Sequence, residues 1–250
     1  MRWWNLAYRK ISDAESLVRA HRSFGVFTTG SQYNKRDKRK VALQTDKWAN
    51  PQLMWDERFS HTEPVYGEEP NAYLCAQVIR LRPAANILVP GDGYGRNGIW
   101  LARQGFRVHT VDLSSVGVER AQKAARAAGV SMTIEQADLS LWRWPVALFD
   151  AAACIFLHLA PQVRTPVHRN IFAALKPGGL LILEAFTPAQ IQNTSGGPKQ
   201  VELLYTADIL GHDFQTAEAV ELDECEIQLD EGRLHRGRAA VVRAVFRKKH

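Results

Sequence analysis

Asn86-Ile87-Leu88-Val89-Pro90-Gly91-Asp92-Gly93-Tyr94-Gly95-Arg96-Asn97 is the stretch whose reading decides the fold. A short apolar run ends in three alternating glycines, and Arg96 to Gln104 then reads as a helix. Glycines at such a handover let the backbone turn sharply and approach a ligand closely, and the helix presents its unpaired N–H groups to the same place. Downstream the pattern repeats. Phe106 to Val111 alternates and ends at Asp112, and Ser114 opens an Ala-rich helix to Ala128 that Gly129 stops. Met132-Thr133-Ile134 ends near Asp138, and Phe149 to Phe156 is a buried-strand pattern followed by a helix from Gln162 to Leu175. Lys176-Pro177-Gly178-Gly179 reads as a turn before a strand from Leu180 to Phe186. Strands alternating with helices of this length predict a three-layer, Rossmann-like α/β fold with a parallel sheet covered on both faces.

The last third breaks the rhythm. Ala217 to Leu229 reads as a strand with a phase slip at Asp223-Glu224, which suggests a β-bulge. Asp230-Glu231-Gly232 is the expected hairpin turn, and Leu234 to Arg247 is a second alternating strand. An antiparallel hairpin is therefore expected to close a mostly parallel sheet.

The chain has 250 residues and a formal charge of +6, with a pI of about 9.3. That charge is not spread evenly. Residues 1–50 hold 11 Lys+Arg and 4 Asp+Glu, so the other 200 residues carry 21 against 22 and are nearly neutral at −1. We therefore expect a basic, poorly ordered extension over 1–53 and a domain over 54–250. Within the extension, Ser12 to His21 fits a short helix. The run Lys35 to Lys40 fits a solvated tail, a nuclear-localisation signal or a phosphate-contacting arm. Met54 offers an alternative translation start. No apolar stretch approaches the roughly 18 residues of a membrane span. Cys75, Cys154 and Cys225 are scattered and lack metal-ligand spacing, which argues against a disulfide scaffold or a metal site and suits the reducing cytoplasm.

Gly93, Gly95 and Gly98 also satisfy the dinucleotide fingerprint literally, so the glycines alone do not choose between NAD and another adenosine-containing ligand. The acids do more. Asp112, 21 residues after Gly91, ends the second strand, where a carboxylate can accept both ribose hydroxyls. Asp138 ends the third, where a carboxylate can accept from an adenine amine. With the terminal hairpin, they favour a ligand other than a dinucleotide.

The chain resembles the class I S-adenosylmethionine-dependent methyltransferases from about Trp55 to Lys249. It is most similar to the bacterial tellurite-resistance and thiopurine-type small-molecule enzymes. The words that carry the resemblance are Trp55-Asp56-Glu57-Arg58-Phe59, Tyr66-Gly67-Glu68-Glu69-Pro70-Asn71, Gly91 to Asn97, Leu175-Lys176-Pro177-Gly178-Gly179, Thr194-Ser195-Gly196-Gly197-Pro198 and Glu231-Gly232-Arg233-Leu234-His235-Arg236-Gly237. The resemblance implies a seven-stranded sheet with a reversed last hairpin. It also implies S-adenosylmethionine as cofactor, held by Gly91, Asp92, Gly93, Gly95, Asn97, Asp112, Leu113, Asp138, Leu139 and Ile155. Many members carry an acid two residues before the first glycine. Here that residue is Val89, and Asp92 is the candidate to replace it near the methionyl amine.

Methyl transfer from a sulfonium is an in-line displacement with a neutral leaving group, so positioning carries most of the catalysis. An acceptor that is already ionised needs no base, and another acceptor can need one. His158, just after the fourth strand, is the sequence's best candidate for that base, and His235 reads as structural or exposed. Trp55, Phe59 and Tyr66 could form an aromatic lid, and Pro188 to Gln200 an acceptor-binding loop. A small-molecule methyl acceptor is the expected partner. Three other functions remain open at this point: an RNA methyltransferase or RNA-binding protein using residues 1–53, a nucleotide-dependent oxidoreductase, and a cofactor-binding protein without turnover.

Overall fold

A computed structural model of the chain describes residues 50–249. The expected helix at Ser12 to His21 and the basic run Lys35 to Lys40 lie outside the described residues.

The seven strands among the described residues are β1 (Asn86–Pro90), β2 (Arg107–Asp112), β3 (Thr133–Gln136), β4 (Phe149–Ile155), β5 (Leu175–Phe186), β6 (Glu218–Gly232) and β7 (His235–Arg247). They form one sheet in the order β3-β2-β1-β4-β5-β7-β6. β1 to β5 run parallel to one another, whereas β7 runs antiparallel to both β5 and β6. The helices are α1 (Pro51–Phe59), α2 (Ala72–Gln77), α3 (Arg96–Arg103), α4 (Ser115–Ala127), α5 (Pro161–Ala174) and α6 (Ala207–Asp213). None of them is long and apolar enough to cross a membrane.

Alternation along the strands feeds two core layers. Leu88, Val111, Leu181 and Phe246 face one way, against Val167 and Ile171 of α5 and Leu210 of α6. Ile87, Val89, Ile182 and Val245 face the other way, against Leu101 of α3 and Tyr73 and Leu74 of α2. In α5 the buried Val167, Ile171 and Ala174 recur at i, i+4 and i+7, one stripe of a helix. A third cluster, with Phe186, Leu204, Leu229 and Val241, extends the core toward the hairpin.

Three local expectations are corrected. The bulge is not at Asp223-Glu224, which pair regularly with Arg243 and Val242; the register shifts instead between Ala219 and Glu221 and between Asp230 and Gly232. The apolar residues of β6 change faces without any slip in pairing. Leu222 packs on the layer beneath α6, whereas Cys225 and Ile227 pack on the opposite face. The hairpin turn lies at Arg233-Leu234, since Gly232 still pairs with His235. Neither turn residue has positive φ, so the primed-turn chemistry that usually signals a hairpin is missing. The turn is held from outside, by the Leu234 N–H donating to Val65 O at 2.9 Å. Finally, Lys176 to Gly179 is absorbed into β5, kinked at Gly178 (φ 76) where the pairing with β4 is irregular.

Candidate functional site at the carboxyl edge of the sheet

The strand order reverses between β1 and β4, and in open α/β sheets the crevice beyond that switch point receives ligands. The glycine loop occupies it. Gly91, Gly93 and Gly95 all have positive φ (70°, 59° and 89°), and Gly95 caps α3 in the left-handed conformation. Gly93 is sterically obligatory as well, because a Cβ there would stand 2.7 Å from Phe59 Cζ. Phe59 in turn stacks on Trp55 (5.5 Å between centroids) and meets Tyr94 edge-on (5.6 Å). Two rings of the expected aromatic lid, Trp55 and Phe59, are thus brought together, with Phe59 directly over the loop. Tyr66 stands at its margin, 6.4 Å from Phe59.

Asp112 ends β2 beside the loop. Its Oδ2 accepts from Gly93 N at 2.7 Å and its Oδ1 from Ser114 N at 2.8 Å. Burial pushes its pKa up, and these two N–H bonds pull it back. A carboxylate has about four lone-pair sites, so two remain for a pair of vicinal hydroxyls. Ser114 caps α4 through Gly117 N, and Asp56 of α1 accepts from Ser114 Oγ (2.5 Å) and Val116 N (3.2 Å). The start of α4 is therefore tied to α1.

The other candidates differ in accessibility. Asp138 is exposed, and its Oδ1 closes a turn onto Ser140 N and Oγ. Leu113 is half-buried beside Asp112, whereas Leu139 is buried in the core layer beneath α5 and Ile155 in the opposite layer. Asn97 is buried and accepts from Asn71 N at 2.9 Å, which uses its side chain to fix the segment before α2. Asp92 is buried behind the loop. Its Oδ2 accepts from Gly98 N at 3.0 Å, and its Oδ1 has no partner among the described residues. Burial pushes its pKa up to about 8, so at neutral pH it is mostly protonated.

His158 does not have the geometry of a base. Phe186 N–H donates to its Nε2 at 3.3 Å, so Nδ1 carries the hydrogen and donates to Leu203 O at 2.7 Å. Both ring nitrogens are used by the scaffold, and burial depresses the pKa to about 4. The segment Pro188 to Gln200 is likewise pinned to β7. Buried Gln190 accepts from Ala240 N and donates to Ser195 Oγ and Gly196 O, and Ser195 Oγ donates to Arg238 O.

His235, which the sequence reads as structural or exposed, is instead enclosed beside the end of β4. His235 is 4% exposed and is ringed by Tyr66, Phe156 and Phe186, with centroids 4.7, 4.6 and 5.5 Å away. Phe156 holds φ 52, a costly conformation for a bulky residue. Behind this ring lies a buried polar network. Asn71 Nδ2 donates to Glu184 (2.6 Å) and Glu231 (3.0 Å), Arg243 pairs with Glu184 (2.7 Å), and Arg96 pairs with Glu231 (2.8 Å). The signal was present in the words Tyr66 to Asn71 and Glu231 to Gly237, which meet here, but their pairing is not visible in one dimension.

Residues 87–179 match the family described as "Methyltransferase domain". A thiopurine S-methyltransferase of Bordetella petrii is 29% identical over 171 residues, covering 60% of this chain and 74% of that protein. Among solved structures, the N-methyltransferase NodS of Bradyrhizobium japonicum WM9, in complex with S-adenosyl-L-homocysteine, superposes with a TM-score of 0.64 at 16% identity, covering 80% of this chain and 100% of that one. A protein described under the conversion of a disulfide bond into a thioacetal group during echinomycin biosynthesis gives a TM-score of 0.68 at 18% identity, covering 80% and 93%. The strand order, the glycine loop with Asp112 beside it, and these likenesses agree: the chain carries a class I S-adenosylmethionine-dependent methyltransferase domain.

Proposed function

We propose that this methyltransferase acts on a small-molecule acceptor, with sulfur nucleophiles foremost and chalcogen oxyanions or other metabolites as further candidates. The observation that carries the reading is the cluster of Tyr66, Phe156 and Phe186 packed against His235 beside the end of β4, an apolar, polarisable surface suited to a small soft acceptor. Similarity to a thiopurine S-methyltransferase supports sulfur.

When bound, S-adenosylmethionine supplies an electrophilic methyl on a sulfonium. The side-chain-free backbone at Gly91, Gly93 and Gly95 would lie against it, the N–H groups of these glycines being held by Val111 O, Asp112 Oδ2 and Asp92 O, and Asn97 would hold the loop's far side through Asn71. Asp112 would take the ribose hydroxyls, Asp138 the adenine amine, and Asp92 the methionyl ammonium. Leu113, Leu139 and Ile155 would line the adenosine side with backbone or side chain. Fixing donor and acceptor in line can supply roughly 7–11 kcal/mol of a barrier. We assign this function to the expected domain over 54–250, carried back to Asn50 because that residue caps α1, and place the protein in the cytoplasm, where its three unpaired cysteines would stay reduced.

A panel of thiols, selenols, oxyanions and RNA, read by formation of S-adenosylhomocysteine, tests the reading. Turnover on small acceptors is expected. Turnover on RNA alone would overturn it.

A further inference from the structure

The β6–β7 register shifts between Asp230 and Gly232, which places Glu231 in a bulge beside the turn. Bulges re-aim side chains and are frequent next to active sites. Here the carboxylate is aimed inward. Its Oε2 meets His235 Nδ1 at 3.1 Å and Arg96 at 2.8 Å, and its Oε1 accepts from Asn71 at 3.0 Å. A carboxylate held by a guanidinium and an amide can only accept from the imidazole. Nδ1 therefore carries the hydrogen, and Nε2 is the basic nitrogen. Nε2 has no hydrogen-bond partner among the described residues, and it is not among the atoms sealed from solvent without one. The Gly196 backbone lies along the Cδ2 edge of the ring, where a Cβ would stand 2.9 Å from Cδ2 and 3.5 Å from Nε2, so a side chain at that position would crowd the imidazole. On the other side the strained Phe156, next after Ile155 of β4, holds the imidazole at the carboxyl edge.

We propose that His235, oriented by Glu231, is the general base of the methyl transfer, and that the natural acceptor is a thiol or hydroxyl that still carries its proton at working pH. The assignment rests on the small-molecule reading above. In the step, a lone pair of the acceptor sulfur or oxygen forms the bond to the methyl carbon as the methyl–sulfonium bond breaks. The bonding electrons leave with the now neutral thioether. The acceptor's proton passes to His235 Nε2 and then to water.

The charged and titratable groups that face His235 are Glu231 of β6, Arg96 of α3, Arg58 of α1, Tyr66 before α2, and His158 after β4. Burial holds the imidazole below its ordinary pKa, partly offset by Glu231. The ring is thus the neutral base at pH 7 and is lost as a base only in acid.

The test compares wild type with His235→Gln on two acceptors at pH 7, an alkyl thiol that is protonated and a nitro-substituted aryl thiol that is already ionised. S-adenosylhomocysteine affinity is measured alongside by calorimetry. The expected result is a fall of about 10²- to 10⁴-fold in kcat/KM for the alkyl thiol, little change for the ionised one, and unchanged affinity. Equal losses on both thiols, or no loss on either, would overturn the assignment. Should the variant fail to fold, Glu231→Gln decides. It keeps an acceptor for Nδ1–H but removes the charge that favours imidazolium, so the acid limb of kcat/KM for the alkyl thiol should move to lower pH. An unmoved limb would overturn the assignment. Failure of the underlying reading is separable, because it shows as a wild-type protein that binds S-adenosylhomocysteine and methylates neither thiol.

Discussion

The Gly93 amide donates to Asp112 Oδ2 at 2.7 Å, so the carboxylate at the end of β2 is bonded to the glycine loop that it stands beside. One residue thus shapes the loop and offers the remaining lone pairs outward. Replacing Asp112 with Ala strips partners from both Gly93 N and Ser114 N, at a cost of about 1–3 kcal/mol for each donor left buried. We expect a lower Tm together with at least a tenfold weaker S-adenosylhomocysteine affinity, read by calorimetry. Unchanged affinity would remove Asp112 from the cofactor site.

Asp92 makes a prediction about protons. With one oxygen unpartnered and a pKa raised to about 8 by burial, it holds a proton at pH 7. An ammonium arriving beside it would favour the charged form and drive that proton off. Binding of S-adenosylhomocysteine at pH 7 should therefore release protons, seen as a dependence of binding enthalpy on buffer ionisation enthalpy, and Asp92→Asn should abolish the release. The sign for stability follows from the same shift. The unfolded chain ionises near the ordinary Asp value while the folded chain stays protonated to about pH 8, so this group makes folding less favourable as pH rises from about 4 to 8. The slope is at most about 1.4 kcal/mol per pH unit. The Tm difference between Asp92→Asn and wild type should grow across that window.

Much of the frame around the candidate site could be read from sequence, because the features concerned are local. A strand, a glycine turn and a helix sit within Asn86 to Arg103, and Asp112 ends β2, whereas Asp138 lies just past the end of β3 in a turn. What escaped depends on tertiary packing. The phase slip at Asp223-Glu224 mimics a bulge because the two ends of one edge strand are covered on opposite faces. The hairpin turn carries no local signature because Val65 supplies its hydrogen bond. His158 looked like the base by its place after β4, yet its two partners come from residues 28 and 45 positions away. His235 looked structural because nothing near it in sequence shows that Tyr66 and Phe156 will enclose it.

Glu184 is fully buried and shared between Arg243 (2.7 Å) and Asn71 (2.6 Å). Removing one partner of a buried pair leaves an uncompensated charge and costs about 3–5 kcal/mol. Arg243→Ala should therefore lower unfolding stability by that order in urea titration. The double variant Glu184→Gln with Arg243→Ala should recover part of the loss, because no charge is then left buried. A double variant less stable than the single would show that the pair is held by something other than charge compensation.

His158 and His235 make opposite predictions for one experiment. His158 donates through Nδ1 to Leu203 O and accepts from Phe186 N, and its pKa is depressed to about 4. Replacing it with Gln removes two scaffold bonds, each worth about 0.5–1.5 kcal/mol net, so Tm should fall. A group with a depressed imidazole pKa is already neutral throughout the working range, and one that spends both nitrogens on backbone cannot exchange protons with an acceptor. The acid limb of the pH profile for a protonated thiol should therefore stay where it is in His158→Gln, even as stability drops. If the limb vanished in this variant and persisted in His235→Gln, the base would be His158, and the hydrogen bonds that hold it would have to open during turnover.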